Sequence, residues 1–173
     1  MTSCSPHPSG RLSRRAIVIG VGVALVSGAA GAACRPVRVL FVCRAGSVKS
    51  AIARETLKRR AADEGVSVLV SSRGVHPEDH ISPALAANLK RDGLDPASEP
   101  LRQLMQTDIG LADTIIAFDE ASDEPELRSA RAWKTPSWNT DYAAAKADLA
   151  ERLTLLLSEL RAGGATPCSA QVP

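Results

Sequence analysis

The chain has 173 residues, 45% of them apolar, and a formal net charge of +2. That length supports one domain with a real core and hardly two. So small a charge excludes the strong positive field of a nucleic-acid binder. The charge is also uneven: residues 1–33 hold Arg11, Arg14 and Arg15 and no acid, which leaves 18 bases facing 19 acids in the rest.

In chain order, residues 1–36 stand apart from the domain. SGRLSRR is a basic polar lead, and AIVIGVGVALVSGAAGAA (16–33) is an uncharged apolar run with a small-residue end. That is the three-part layout of an export signal, and the arginine pair before the run resembles a twin-arginine signal. The run is also long enough to remain as a membrane anchor, with the domain facing outward, and GAAC (31–34) could be a lipoprotein cleavage box. All three readings place the domain outside the cytoplasm. Membrane contact is expected only through this segment. If the leader is no signal, the domain is cytoplasmic.

VRVLFVC (37–43) is a nearly continuous apolar run, as in a strand buried on both faces. SAIARETLKRRAADEG (50–65) carries Ile52, Ala53 and Leu57 at helical spacing and ends on Gly65. VSVLVSS (66–72) predicts the next strand. SPALAANLKRDG (82–93) predicts a helix, with a serine cap, proline in the first turn and glycine at the stop. LRQLMQ (101–106) is at best a short helix. ADTIIAFD (112–119) predicts a third strand and ARAWKT (130–135) a weaker fourth. DYAAAKADLAERLTLLLSELRAGG (141–164) is the clearest helix, capped by Asp141. Residues 163–173 read as a flexible tail. Strands alternating with helices predict an α/β three-layer sandwich over 37–162, a parallel sheet flanked by helices. Ligands of such sheets bind beyond the carboxyl ends of the strands, where Cys43 falls.

The cysteines are Cys4, Cys34, Cys43 and Cys168, with no CxxC pair, and His7, His76 and His80 are scattered. No zinc or other metal site is expected. In an exported domain disulfides are permitted, and a Cys34–Cys168 pair stays open.

Residues 43–50, CRAGSVKS, form the turn from the first strand into the first helix. The leading amides of a helix have no internal partner, and with the helix dipole they attract anions. Ala45, Gly46 and Ser47 are small enough for the backbone to approach an oxyanion, and Gly46 can take a positive φ. The same field would stabilise a thiolate at Cys43, to which Ser50 could donate a hydrogen bond. Arg44, Ala45, Gly46, Ser47, Val48 and Lys49 would then cradle a phosphate, and a nucleophilic sulfur beneath it points to a thiophosphoryl intermediate. The plainer reading is a small buried core cysteine.

The loop resembles the C-x5-R-S loop of the low-molecular-weight protein tyrosine phosphatases and related arsenate reductases. VRVLFVCRAGSVKSAIARETL is similar to that family's first strand, loop and helix. SSRGV (71–75) is similar to its Ser-Ala-Gly segment, 84–104 to its helix, turn and Arg-Gln-Leu-like segment, and ADTIIAFDE (112–120) to its third strand ending in Met-Asp. The resemblance covers about residues 37–160. It implies a four-stranded parallel sheet, no cofactor and a monomer acting on aryl phosphates, protein phosphotyrosine included.

Three positions depart from the pattern. The family arginine, which grips two phosphate oxygens at once, is Lys49, a point charge without that fork. The general-acid Asp-Pro is replaced by Ser137-Trp138, and Asp141, four residues on, is the candidate substitute. The loop's Gly and Asn are Ala45 and Gly46. Thiol-relay arsenate reductases use extra cysteines near the end of the third strand, where this chain has AFDE. The sequence therefore predicts a weak cysteine phosphatase, with a non-catalytic phosphate binder as the alternative and an arsenate reductase less well supported.

Overall fold

The computed structural model describes residues 35–163. The leader, its cleavage or anchoring, the Cys34–Cys168 pairing and all but the first residue of the tail lie outside the described residues.

The central sheet has four parallel strands in the order β2-β1-β3-β4. They are β1 (Val37–Cys43), β2 (Val68–Gly74), β3 (Thr114–Phe118) and β4 (Arg131–Trp133); helix α1 (Lys49–Asp63) links β1 to β2, α2 (Pro83–Arg91) and α3 (Gln106–Leu111) lie between β2 and β3, and α4 (Tyr142–Ala162) follows β4. This is the α/β three-layer arrangement expected. β1 explains the layering. Val39, Phe41 and Cys43 pack toward α1, α2 and α4, whereas Leu40 and Val42 face Leu104, Ala121 and Leu127 on the opposite side. A strand covered on both faces cannot alternate apolar with polar, which is why VRVLFVC reads as a continuous run. Phe41, Phe118 and Trp133 form an aromatic triangle under α4, with ring centroids 5.7–6.0 Å apart.

Helix termini follow local chemistry. Ser82 caps α2 by accepting from the Leu85 amide at 3.2 Å, with Pro83 in the first turn. Asp141 caps α4 by accepting from the Ala144 amide at 2.9 Å. The expected helix at 101–106 is instead extended. The Gly74 amide donates to the Arg102 carbonyl at 3.0 Å and the Leu104 amide to the Gly74 carbonyl at 2.9 Å. Those two bonds tie the segment to the end of β2, and the helix starts only at Gln106.

Polar ties hold the two ends of the sheet. At its amino end, Asp113 accepts from both Arg35 guanidinium nitrogens and from the Arg38 amide. The Arg35 hydrogen bonds, then that amide, hold the Asp113 carboxyl down to about 2. Near the carboxyl end, the Tyr142 hydroxyl donates to Asp92, which Lys146 also contacts at 2.6 Å. Burial, then the Asp92 bond, pushes the Tyr142 phenol up to about 12. This joins the end of α2 to the start of α4. Among the described residues no helix is long and apolar enough to cross a membrane.

Candidate active site

Cys43 ends β1, opposite Gly74 at the end of β2. Its side chain is buried, 6% exposed, at the carboxyl edge of the sheet. The Gly46 amide donates to Cys43 Sγ at 3.1 Å, and Ser50 Oγ lies 3.1 Å from the same sulfur. Ser50 is fully buried and also reaches the Gly46 carbonyl at 3.2 Å and the Arg73 carbonyl at 3.4 Å. Its single proton can serve the sulfur or a carbonyl; a thiolate would draw it to the sulfur.

The loop takes its shape from two glycines. Gly46 sits at φ +79°, the left-handed region that glycine enters without strain. A Cβ added there would lie 2.8 Å from the Gly74 amide nitrogen, and one added at Gly74 would lie 2.8 Å from the Ala45 carbonyl oxygen. Loop and strand therefore touch backbone to backbone. The His76 and Glu78 amides donate to the Arg44 and Ala45 carbonyls at 2.8 and 3.0 Å, fixing the outer side of the loop. Helix α1 begins directly behind it. No side chain caps α1 and no acid lies in its first turn, so its positive end faces the loop uncompensated.

A cavity of about 350 Å³ opens over the sulfur, lined by Cys43, Arg44, Ala45, Val48, Lys49, His80, Phe118, Asp119, Glu120, Ser137, Trp138 and Asn139. Phe118 and Trp138 are its aromatic wall. Trp138 is buried and stacks edge-on against Tyr142, with centroids 5.5 Å apart. Asn139 stitches the rim together: its amide donates to the His80 carbonyl at 2.9 Å and its oxygen accepts from the Ser82 amide at 3.2 Å.

The structure thus gathers Cys43, Ser50 and the 44–49 loop into one place. Ser47 plays a structural part, since its buried hydroxyl accepts from the His80 amide at 3.0 Å. Two expectations need correction. Asp141 does not line the cavity; its carboxylate accepts from the Ala144 amide at the start of α4. The Lys49 ammonium is already occupied: Nζ pairs with Asp119 and donates to the Thr135 carbonyl at 3.1 Å. The other Asp119 oxygen accepts from the Thr135 amide at 3.0 Å. Sequence reasoning missed Asp119, Glu120, His80 and Asn139 as cavity residues. Asp119 had a signal, the acid ending the third strand; Glu120, His80 and Asn139 had none, because their places depend on loops folding over the site. Among the described residues, no three His, Cys, Asp or Glu side chains converge as metal ligands would.

Residues 38–152 match the model of a family described as low molecular weight phosphotyrosine protein phosphatase. No curated protein is similar to the chain by sequence. Solved structures share the fold. An arginine phosphatase from Geobacillus stearothermophilus is 21% identical with a TM-score of 0.59, over 74% of this chain and 95% of its own. A low molecular weight protein tyrosine phosphatase from Streptococcus pyogenes is 19% identical with a TM-score of 0.58, over 72% and 93%. An arsenate reductase in its phosphate-binding state is 18% identical with a TM-score of 0.59, over 72% and 98%.

Proposed function

Since the chain belongs to the low molecular weight phosphotyrosine protein phosphatase family, we propose that it hydrolyses aryl phosphate monoesters through Cys43. The observation that carries this reading is the sulfur itself. It lies at the floor of a cavity with an amide and a hydroxyl directed at it, behind which an uncapped helix begins. In the proposed reaction the Cys43 thiolate attacks phosphorus, the ester oxygen leaves, and water then releases phosphate from the sulfur. The loop amides and the positive end of α1 stabilise the charge that spreads over the phosphoryl oxygens. Phe118 and Trp138 give an aromatic leaving group an apolar wall, which is what makes aryl phosphates, phosphotyrosine among them, the substrate class of choice.

A second reading has its own observation. Lys49 is engaged by Asp119, and Ser137 cannot protonate a leaving group. A site that binds phosphate without turning it over would look the same at both positions. Turnover of p-nitrophenyl phosphate by the purified protein decides between them, and Lys49→Arg sharpens the test. Arginine can turn two nitrogens of its fork toward the phosphate where lysine offers one. The expected result is a gain in kcat/KM on the order of tenfold. Phosphate binding without turnover in both proteins would establish the binding-only reading.

We place the domain's work outside the cytoplasm, on the strength of Arg14 and Arg15 preceding an uncharged apolar run. Cell fractionation of the full chain and of an Arg14→Lys, Arg15→Lys form tests this. Export of the parent and retention of the variant are expected; full-length parent in the cytoplasm overturns the assignment.

A further inference from the structure

A phosphatase of this design needs a proton for the departing oxygen, and Ser137 and Asp141 do not supply one. Two carboxylates line the cavity. Glu120 is on its exposed rim. Asp119 follows the last residue of β3, and β3 runs beside β1 in a register that pairs Ala117 with Val42, one residue short of Cys43. Asp119 stands at φ +50°, alone among the described non-glycine residues in having a positive φ. Such conformations cost energy and persist where surrounding contacts hold them. Here the contacts are the Thr135 amide on one carboxylate oxygen and Lys49 on the other.

We propose that Asp119 is the proton donor and acceptor of this site, released for that work when an entering phosphate draws Lys49 away from it. The proposal rests on the phosphatase reading above. A phosphate dianion in the cradle offers Lys49 a more highly charged partner. Once Lys49 turns to it, Asp119 Oδ2 loses its cation partner while Oδ1 keeps the Thr135 amide, so Oδ2 is the atom free to carry the proton for the leaving oxygen. The Cys43 sulfur then forms a bond to phosphorus. The bond from phosphorus to the leaving oxygen breaks, its electron pair stays on that oxygen, and the oxygen takes the proton from Asp119. In the second half, the Asp119 carboxylate accepts a proton from the attacking water. The sulfur–phosphorus bond breaks, its electron pair returns to Cys43 as thiolate, and phosphate departs. The other charged or titratable groups lining this space are Arg44 from the loop, His80 from the segment after β2, and Glu120 beside Asp119.

The test compares phenyl phosphate, whose leaving group needs a proton, with p-nitrophenyl phosphate, whose leaving group needs it far less. In the full chain, Asp119→Asn is expected to lower kcat on phenyl phosphate by about 10²-fold or more, and to lower it at least about tenfold less on p-nitrophenyl phosphate. Inorganic phosphate, titrated by calorimetry, is expected to bind the variant several-fold tighter because Lys49 is free, and that titration also reports an intact site. Adding Ser137→Asp to Asp119→Asn places a carboxylate on the cavity wall and is expected to restore phenyl phosphate turnover. Equal losses on the two substrates, or no gain in phosphate affinity, overturn the proposal and leave Cys43 catalysis standing. Absence of turnover of either substrate by the parent protein overturns the phosphatase reading, and the role of Asp119 falls with it.

Discussion

Cys43→Ser is expected to lower p-nitrophenyl phosphate turnover on the order of 10⁴-fold or more, the scale seen when a nucleophile is removed from a site that acts as a unit. Nothing else at the cavity floor can take its place. Ser50, the nearest hydroxyl, is fully buried behind the sulfur, its oxygen within reach only of that sulfur and of the Gly46 and Arg73 carbonyls. A serine at 43 would bring an alcohol with no adjacent base, so the attacking group would stay protonated. The Gly46 amide and the start of α1 would remain, so phosphate binding should survive. The measurement pairs steady-state turnover with acid-quench mass spectrometry. The parent protein should carry one phosphoryl group on Cys43 during turnover, and the variant none. Residual activity above about 1% of the parent would place the chemistry on another residue.

Arg54→Ala is expected to be the most damaging change to stability. Arg54 is 2% exposed and lies in α1, one turn beyond Ser50. Its guanidinium donates to Ser72 Oγ at 2.8 Å, to the Pro96 carbonyl at 2.8 Å and to Ser98 Oγ at 3.2 Å, while Nε pairs with Glu55 at 2.6 Å. One side chain thus fastens α1 to β2 and to the turn at Pro96–Ser98. Burial alone would raise the Glu55 carboxyl; the Arg54 hydrogen bond and charge outweigh it and hold Glu55 below its ordinary range. Removing the cation leaves that carboxylate and the Pro96 carbonyl without it, at a cost of about 3–5 kcal/mol. Thermal unfolding should then show Tm falling by roughly 10–20 °C. A drop below about 3 °C would mean that the polar pocket re-forms around water.

How much of this was legible in the sequence depends on whether the signal was local. β1, α2 and α4 announce themselves through a continuous apolar run, a Ser-Pro start and an Asp cap, all set within a few residues of the element they define. The turn from Cys43 to Ser50 is local too, and the structure assembles it as its small residues predict. The segment at 101–106 carries only a weak helical pattern, and hydrogen bonds with Gly74, far away in sequence, override it. The short spacing from Ser137 makes Asp141 a candidate acid in the sequence. Its orientation, however, is decided by the first turn of α4, which claims the carboxylate. The burial of Arg54 and the capture of Lys49 by Asp119 are long-range pairings, 42–70 residues apart for most of their partners. A residue's charge says that it needs a partner and says nothing about where one will be found.

The contact between Gly46 and Gly74 has a consequence for how this site can change over time. Because each glycine excludes a side chain on the other's behalf, the cradle is inherited as a pair of positions and not as a contiguous stretch. A loop transplanted from another protein, however well its own residues match, would fail here unless residue 74 left it room. Conversely, drift at 44 or 45, which line the cavity and stand outside the packed core, is free to alter what enters without disturbing the backbone that would hold it. Residues 46 and 74 are therefore the anchors around which specificity can wander, and a library built to retarget the site should leave both untouched.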